Sequence, residues 1–328
     1  MVYDRMDDRP AFVGIPTFLR VPLLANVEAL RRERPDVVIV GAPTDTAVTH
    51  RPGARFGPRA IRAASYLRRN IHHLGLGVQP LKILRVFDYD DADVIPGDIE
   101  RTNEAIRKKV GEVAEAGAIP IVLGGDHSIT FPSASAVADV LGHGRLGIVH
   151  FDAHADTGSD SWGVLLSHGT PMRRLIESGA VPGRAFVQVG LRGYWPTPEL
   201  FDWMREQGMR WHTMHDIQRR GFDAVLTEAI ESASAGLNGP ERIYLSVDID
   251  VLDPAYAPGT GTPEPGGLTA RELLSAVREV TLRTELAGAD IVEVSPPYDP
   301  AGITAEVAHR VVLEMLSALA TKRAEGDA

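Results

Sequence analysis

Eight short apolar runs rich in β-branched residues recur along this 328-residue chain, at Val37–Val40, Ile83–Phe87, Ile119–Leu123, Leu146–Phe151, Phe186–Val189, Met209–Thr213, Ile243–Val247 and Ile291–Val294. Most are separated by segments with helical periodicity and capping residues. Thr102–Ala116 ends at Gly117, and Thr269–Val280 opens on a Thr N-cap with Glu272 three residues on. Strands that alternate with helices favour a mostly parallel sheet with both faces covered, which is an α/β fold. No repeat, low-complexity tract or Pro/Gly linker divides the chain. Residues 1–328 therefore read as a single domain, with 1–30 and 321–328 expected to be peripheral.

Composition removes several classes of function. Apolar residues at 44% and charged residues at 24% suit a globular protein, and no apolar stretch reaches the roughly 18 residues that a membrane span needs. The first ten residues, MVYDRMDDRP, carry acids and no apolar core, unlike a secretory signal peptide. The absence of cysteine rules out disulfides and thiolate metal sites, and a cytoplasmic location is the expectation. A formal charge of -10 disfavours a nucleic-acid partner.

Three motifs follow three of the strand-like runs: GGDHS (Gly124–Ser128), HFDAHAD (His150–Asp156) and SVDID (Ser246–Asp250). They supply His127, Asp152, His154, Asp156, Asp248 and Asp250. In parallel sheets ligands bind beyond the carboxyl ends of the strands. The i, i+2, i+4 spacing of Asp152, His154 and Asp156 puts those side chains on one side of an extended backbone, as does the i, i+2 spacing of Asp248 and Asp250. Each motif alone reads as a turn or helix cap. Their coincidence at three strand ends argues instead for one site. Four carboxylates and two imidazoles exceed the needs of one ion and suit two hard divalent cations sharing carboxylates. His150 lies within an apolar run and reads as a hydrogen-bonded core residue.

At these residues the chain resembles the ureohydrolases, the arginase and agmatinase family of binuclear manganese amidinohydrolases. The likeness extends to RPGARFGPRAIR (Arg51–Arg62), SHGTP (Ser167–Pro171), DPAYAPGTGTPEPGG (Asp253–Gly267) and DIVEVSPPYD (Asp290–Asp299). It implies a three-layer α/β/α fold with an eight-stranded, mostly parallel sheet, and assembly as trimers or hexamers. It also implies that the six residues above ligate two Mn2+ ions, although donor type leaves Ni2+, Co2+ or Zn2+ open. By the same resemblance, His168 carries protons to and from solvent, Asp156 passes a proton to the leaving amine, and Glu293 orients the guanidinium of a small substrate. A carboxylate can accept two parallel hydrogen bonds from that planar cation.

The reaction so implied is cleavage of a guanidino compound to urea and an amine, agmatine to putrescine first. Metal coordination brings the pKa of water from 15.7 toward roughly 7, equivalent to about 12 kcal/mol of deprotonation free energy. General acid–base catalysis adds on the order of 10²- to 10⁴-fold, about 3 to 5.5 kcal/mol, so the metals dominate. Arginases carry Asn where this chain has Gly158, which leaves arginine recognition unsupported. Asp160 can receive a cationic amine or be a solvated loop charge. For guanidinobutyrate or guanidinopropionate, Arg192 can pair with the carboxylate or be purely structural. Trp162 can line the mouth. A non-catalytic scaffold is the reading from another class, but the chain retains all six ligand-type residues together with His168 and Glu293.

Overall fold

The computed structural model describes residues 12–67, 70–237 and 242–326. Eight strands lie among them: β1 (Val37–Ala42), β2 (Val86–Asp91), β3 (Ile119–Gly124), β4 (Gly147–Phe151), β5 (Phe186–Leu191), β6 (Arg210–Thr213), β7 (Ile243–Asp248) and β8 (Leu286–Val292). They form one sheet in the order β2-β1-β3-β8-β7-β4-β5-β6. Every described pairing is parallel. β1, β4, β5 and β7 are buried along their whole length, which is why they read as continuous apolar runs rather than alternating ones. Apolar clusters fill the space between the sheet and its covering helices.

Two strands differ from the sequence expectation. β8 begins at Leu286, five residues before the expected start, because its first half, Leu-Ala-Gly-Ala, is too small to register as an apolar run. Gly288 makes room for the buried Tyr244, whose ring lies 2.9 Å from where a Cβ on that glycine would sit. β2 begins at Val86 and continues through Asp-Tyr-Asp-Asp, whereas Ile83 ends a short helix, Pro80–Ile83. An acidic strand is tolerated here because Arg62 forks onto both oxygens of Asp88, at 2.9 Å each.

The helical expectations hold in outline. The helix expected over Thr102–Ala116 spans Ile99–Glu115, capped by Asp98, with Gly117 just beyond its end. At Ala270–Arg283, Thr269 and Glu272 form the reciprocal capping box.

Residues 12–16 are exposed, as a peripheral segment would be, but from Thr17 onward the N-terminal segment packs against the sheet. Leu24 N–H donates to Asp88 C=O at 2.8 Å, and Asp88 N–H donates to Pro22 C=O at 3.0 Å. The segment thus runs along β2 and covers a sheet edge that would otherwise expose unpaired backbone groups. Phe18 is fully buried, and its N–H donates to Asp88 Oδ2. Residues 321–326 continue the long helix Ile303–Gly326 and are half-buried or exposed. No helix among the described residues is long and apolar enough to cross a membrane.

Candidate metal centre

The strand order brings the ends of β3, β8, β7 and β4 side by side at the middle of the sheet. His127 follows β3, Glu293 follows β8, Asp248 ends β7 with Asp250 in the turn behind it, and Asp152, His154 and Asp156 follow β4. The turn after β3 needs its glycines. A Cβ on Gly125 would lie 1.7 Å from Thr44 C=O, and one on Gly124 2.6 Å from the Val292 side chain. Asp156 and Glu293 adopt left-handed backbone conformations, with φ of 51° and 61°, unusual for residues with a side chain and characteristic of functional positions.

The six residues converge as expected. His127 Nδ1 lies 3.1 Å from Asp152 Oδ2, 2.9 Å from Asp156 Oδ2 and 3.1 Å from Asp248 Oδ2. His154 Nδ1 lies 3.1 Å from Asp250 Oδ2 and 3.5 Å from Asp152 Oδ1. Asp152 thus turns one oxygen to each group, which defines two adjoining donor sets with a shared carboxylate between them. Thr262 Oγ1 donates to Asp250 Oδ2 at 3.2 Å.

The donor set fits divalent cations. His127 Nδ1 is buried and makes no hydrogen bond, although three carboxylates face it. Its Nε2–H donates at 3.0 Å to Ser246 Oγ, whose own proton goes to Asp290 Oδ1 at 2.7 Å. This relay fixes the tautomer and leaves the Nδ1 lone pair aimed into the site. The four carboxylates are almost wholly buried. Among the described residues, no Lys or Arg forms a salt bridge with any of them, so their charge calls for a cation of another kind.

The proton affinities tell the same story. Burial lowers the His127 pKa, but the surrounding carboxylates outweigh it and hold it well above the usual range. His154 responds alike: burial lowers it, and Asp250 and Asp152 raise it to about 12. Burial, then Asp250 and Asp152, push Asp248 well above the carboxylate range. Asp152 moves the other way: burial raises it, but His127 and His150 outweigh that and hold it well below the carboxylate range. This surplus of negative charge is what a divalent cation would neutralise.

His150 is the hydrogen-bonded core residue that was expected. Gln188 Nε2 donates both to its Nδ1 at 2.9 Å and to Ala155 C=O at 2.6 Å. His150 must therefore carry its proton on Nε2, which donates to Asp152 Oδ2 at 2.9 Å.

A cavity of about 400 Å3 opens above this floor, where His154, Asp156 and Asp248 line it. His168 and Thr49 form part of its wall. His168 Nδ1 lies 3.0 Å from Glu293 Oε1, which also accepts His127 N–H at 2.9 Å. Burial lowers the His168 pKa, but Glu293 raises it further, to about 9. Only Glu293 Oε2 is left, buried and without a partner. The two-oxygen grip on a guanidinium expected of Glu293 is therefore reduced to one free oxygen.

The mouth is built differently. Asp160 Oδ1 accepts Gly163 N–H at 2.8 Å, and Ser161 and Val164 exchange two backbone hydrogen bonds at 2.9 Å. This tight turn carries Trp162 at its tip, 86% exposed, with φ of 50°. Asp160, Trp162 and Trp195 line the outer cavity. Arg192 does not, and its expected role in holding a substrate carboxylate is corrected. Its guanidinium donates to the backbone carbonyls of Gly190, Asp250, Val251, Leu252, Glu264 and Pro265, which consumes its donors. It ties the Asp250 turn to the Thr260–Gly267 loop.

Sequence reasoning missed several residues around the centre. Ser246 and Asp290 stood inside motifs already quoted, SVDID and DIVEVSPPYD, and a search for partners of the ligating histidines would have raised them. Gln188 and Thr49 carried no local signal.

A family model described as the arginase family matches residues 35–317 of this chain. The chain is 42% identical to a guanidinopropionase of Pseudomonas aeruginosa over 317 residues, covering 96% of this chain and 95% of that protein. It is 39% identical to a mitochondrial agmatinase of Gallus gallus, covering 94% and 86% respectively. Among solved structures, proclavaminate amidino hydrolase from Streptomyces clavuligerus superimposes with a TM-score of 0.86 at 37% identity, covering 95% of this chain and 99% of that one.

Proposed function

The chain belongs to the arginase family, and from that premise we propose that it hydrolyses a small guanidino compound to urea and an amine, with agmatine as the preferred substrate. The observation that carries the choice of tail is the charge of the cavity wall. Among the described residues that line it, there is no Lys or Arg, and the outer wall carries Asp160. A tail ammonium finds an acid and two tryptophan faces there, whereas a tail carboxylate finds like charge. The second reading, a guanidino acid as substrate, is favoured by the likeness to guanidinopropionase.

The proposed roles follow from the donor set. Two divalent cations, Mn2+ by preference because oxygen donors outnumber nitrogen, would supply a nucleophile from water at neutral pH. Asp152, His127, Asp156 and Asp248 would hold one, and Asp152, His154 and Asp250 the other, with Asp248 close to both. Glu293 would take one substrate N–H on its free oxygen. Asp156, at the cavity floor, would pass a proton to the leaving amine, and His168 would exchange that proton with solvent. Assembly as a trimer or hexamer is proposed with this reading, and light scattering tests it.

Urea release in the presence of Mn2+ is the test, measured with agmatine, 4-guanidinobutyrate, 3-guanidinopropionate, arginine and free guanidine. Agmatine should give the highest kcat/KM. A guanidino acid in first place would overturn the reading of the tail. Absence of urea from all five would overturn the activity itself.

A further inference from the structure

His168 has both ring nitrogens engaged, and the partners are of different kinds. On one side Nδ1 faces the carboxylate of Glu293 at 3.0 Å. On the other, Nε2 receives the backbone N–H of Thr49 at 3.1 Å and lies 2.7 Å from Thr49 Oγ1. A backbone N–H can only donate, so in the neutral ring Nε2 must offer a lone pair and the proton must reside on Nδ1, donated to Glu293. Glu293 is buried, whereas Thr49 lines the cavity.

We infer that Thr49 is a positioning residue for His168: its N–H fixes the ring as the Nδ1–H tautomer, and its hydroxyl is the group through which Nε2 exchanges a proton with the cavity. A hydroxyl can do this because it both donates and accepts. As a water-borne proton binds Oγ1, the proton already on Oγ1 passes to Nε2, so the hydroxyl is regenerated and the ring becomes the cation. Nε2–H then donates back to Oγ1. The backbone N–H facing that cation favours return of the proton, which offsets the pull of Glu293 and keeps the exchange reversible.

The Thr49 hydroxyl is not needed to hold its loop. Ala47 does that from both sides, accepting His168 N–H at 3.3 Å and donating its own N–H to Asp126 Oδ2 at 3.1 Å. The role of Thr49 therefore separates from the loop's structural anchors.

This inference rests on the proposed hydrolysis for its kinetic consequence but not for its tautomer. In the Mn2+-loaded full-length protein, Thr49→Val keeps the N–H and loses the hydroxyl. It should lower kcat by about 10²-fold, the low end of what an acid–base group contributes, with KM within about twofold and metal content unchanged. Thr49→Ser should restore most of the rate. If Thr49→Val keeps wild-type kcat, or Thr49→Ser is no better than Thr49→Val, the relay is wrong. Long-range 1H–15N spectra of Zn2+-loaded, 15N-His-labelled protein, recorded at about pH 10 so that the ring is neutral and with the His168 signals assigned from His168→Asn, should show the proton on Nδ1. A proton on Nε2 would overturn the inference even if no guanidino compound proved to be a substrate.

Discussion

His127 and His309 are both fully buried, and each leaves one ring nitrogen without a hydrogen-bond partner. At the strand ends, the free Nδ1 of His127 faces three carboxylates, which hold the ring's pKa well above the usual range against the effect of burial. At the contact between the N-terminal segment and the C-terminal helix, His309 stacks on Phe18 with ring centroids 4.4 Å apart, and its Nδ1–H donates to Ile61 C=O at 3.0 Å. Burial pushes that ring down to about 4. An orphaned buried nitrogen is thus not a metal signal by itself. It becomes one where anionic oxygens converge on the lone pair with no Lys or Arg to neutralise them.

The strongest way to break this contrast is Asp152→Ala. Because its two oxygens face the two donor sets, the loss should reach both. Bound metal, measured by mass spectrometry of desalted protein, should fall well below two ions per chain. Urea formation should drop on the order of 10³-fold, in keeping with the several kcal/mol that a metal contributes. Retention of two ions with more than a tenth of the activity would remove Asp152 from its bridging position.

A smaller effect is expected at His309, and it concerns stability rather than chemistry. Its pKa is depressed in the folded chain, from roughly 6.5 to about 4. The stability it contributes is present above pH 6.5 and is lost as the pH falls toward 4. The loss amounts to about 3 kcal/mol. Urea unfolding across this range should show a flatter pH dependence for His309→Phe than for the parent chain. Equal slopes would mean that the ring is not held neutral by its apolar surroundings.

The smallest effect tests the mouth against the centre. Trp162→Ala should leave metal content and the rate with free guanidine unchanged, since Trp162 is exposed at the tip of its turn and is not one of the donors. It should lower kcat/KM for agmatine by about two- to fivefold, the value of one exposed cation–π contact of about 0.5 to 1 kcal/mol. An equal loss with free guanidine would show that the mouth also shapes the centre.

Much of the centre was legible because ligand chemistry is a property of side-chain type and strand spacing. Asp152, His154 and Asp156 fall on one side of an extended backbone whatever surrounds them, and GGDHS announces a turn that tolerates no Cβ. Arg192 shows where such reading fails. In sequence it is a cation beside aromatic residues, and only the fold reveals six backbone carbonyls around it. β8 was misplaced for a related reason: Gly288 leaves room for Tyr244, a residue on another strand.

By itself, the sequence determined an alternating α/β chain with eight strands and six metal-ligand-type donors in three motifs. These are local properties, set by periodicity and donor chemistry. Tertiary structure alone decided that β3, β8, β7 and β4 are neighbours, that Ser246 and Thr49 select the tautomers of His127 and His168, and that one oxygen of Glu293 is already committed. Each of those depends on partners far apart in the chain, 119 residues apart for both His127–Ser246 and Thr49–His168. A hydrogen bond's direction depends on both of its ends, and a sequence read locally shows only one.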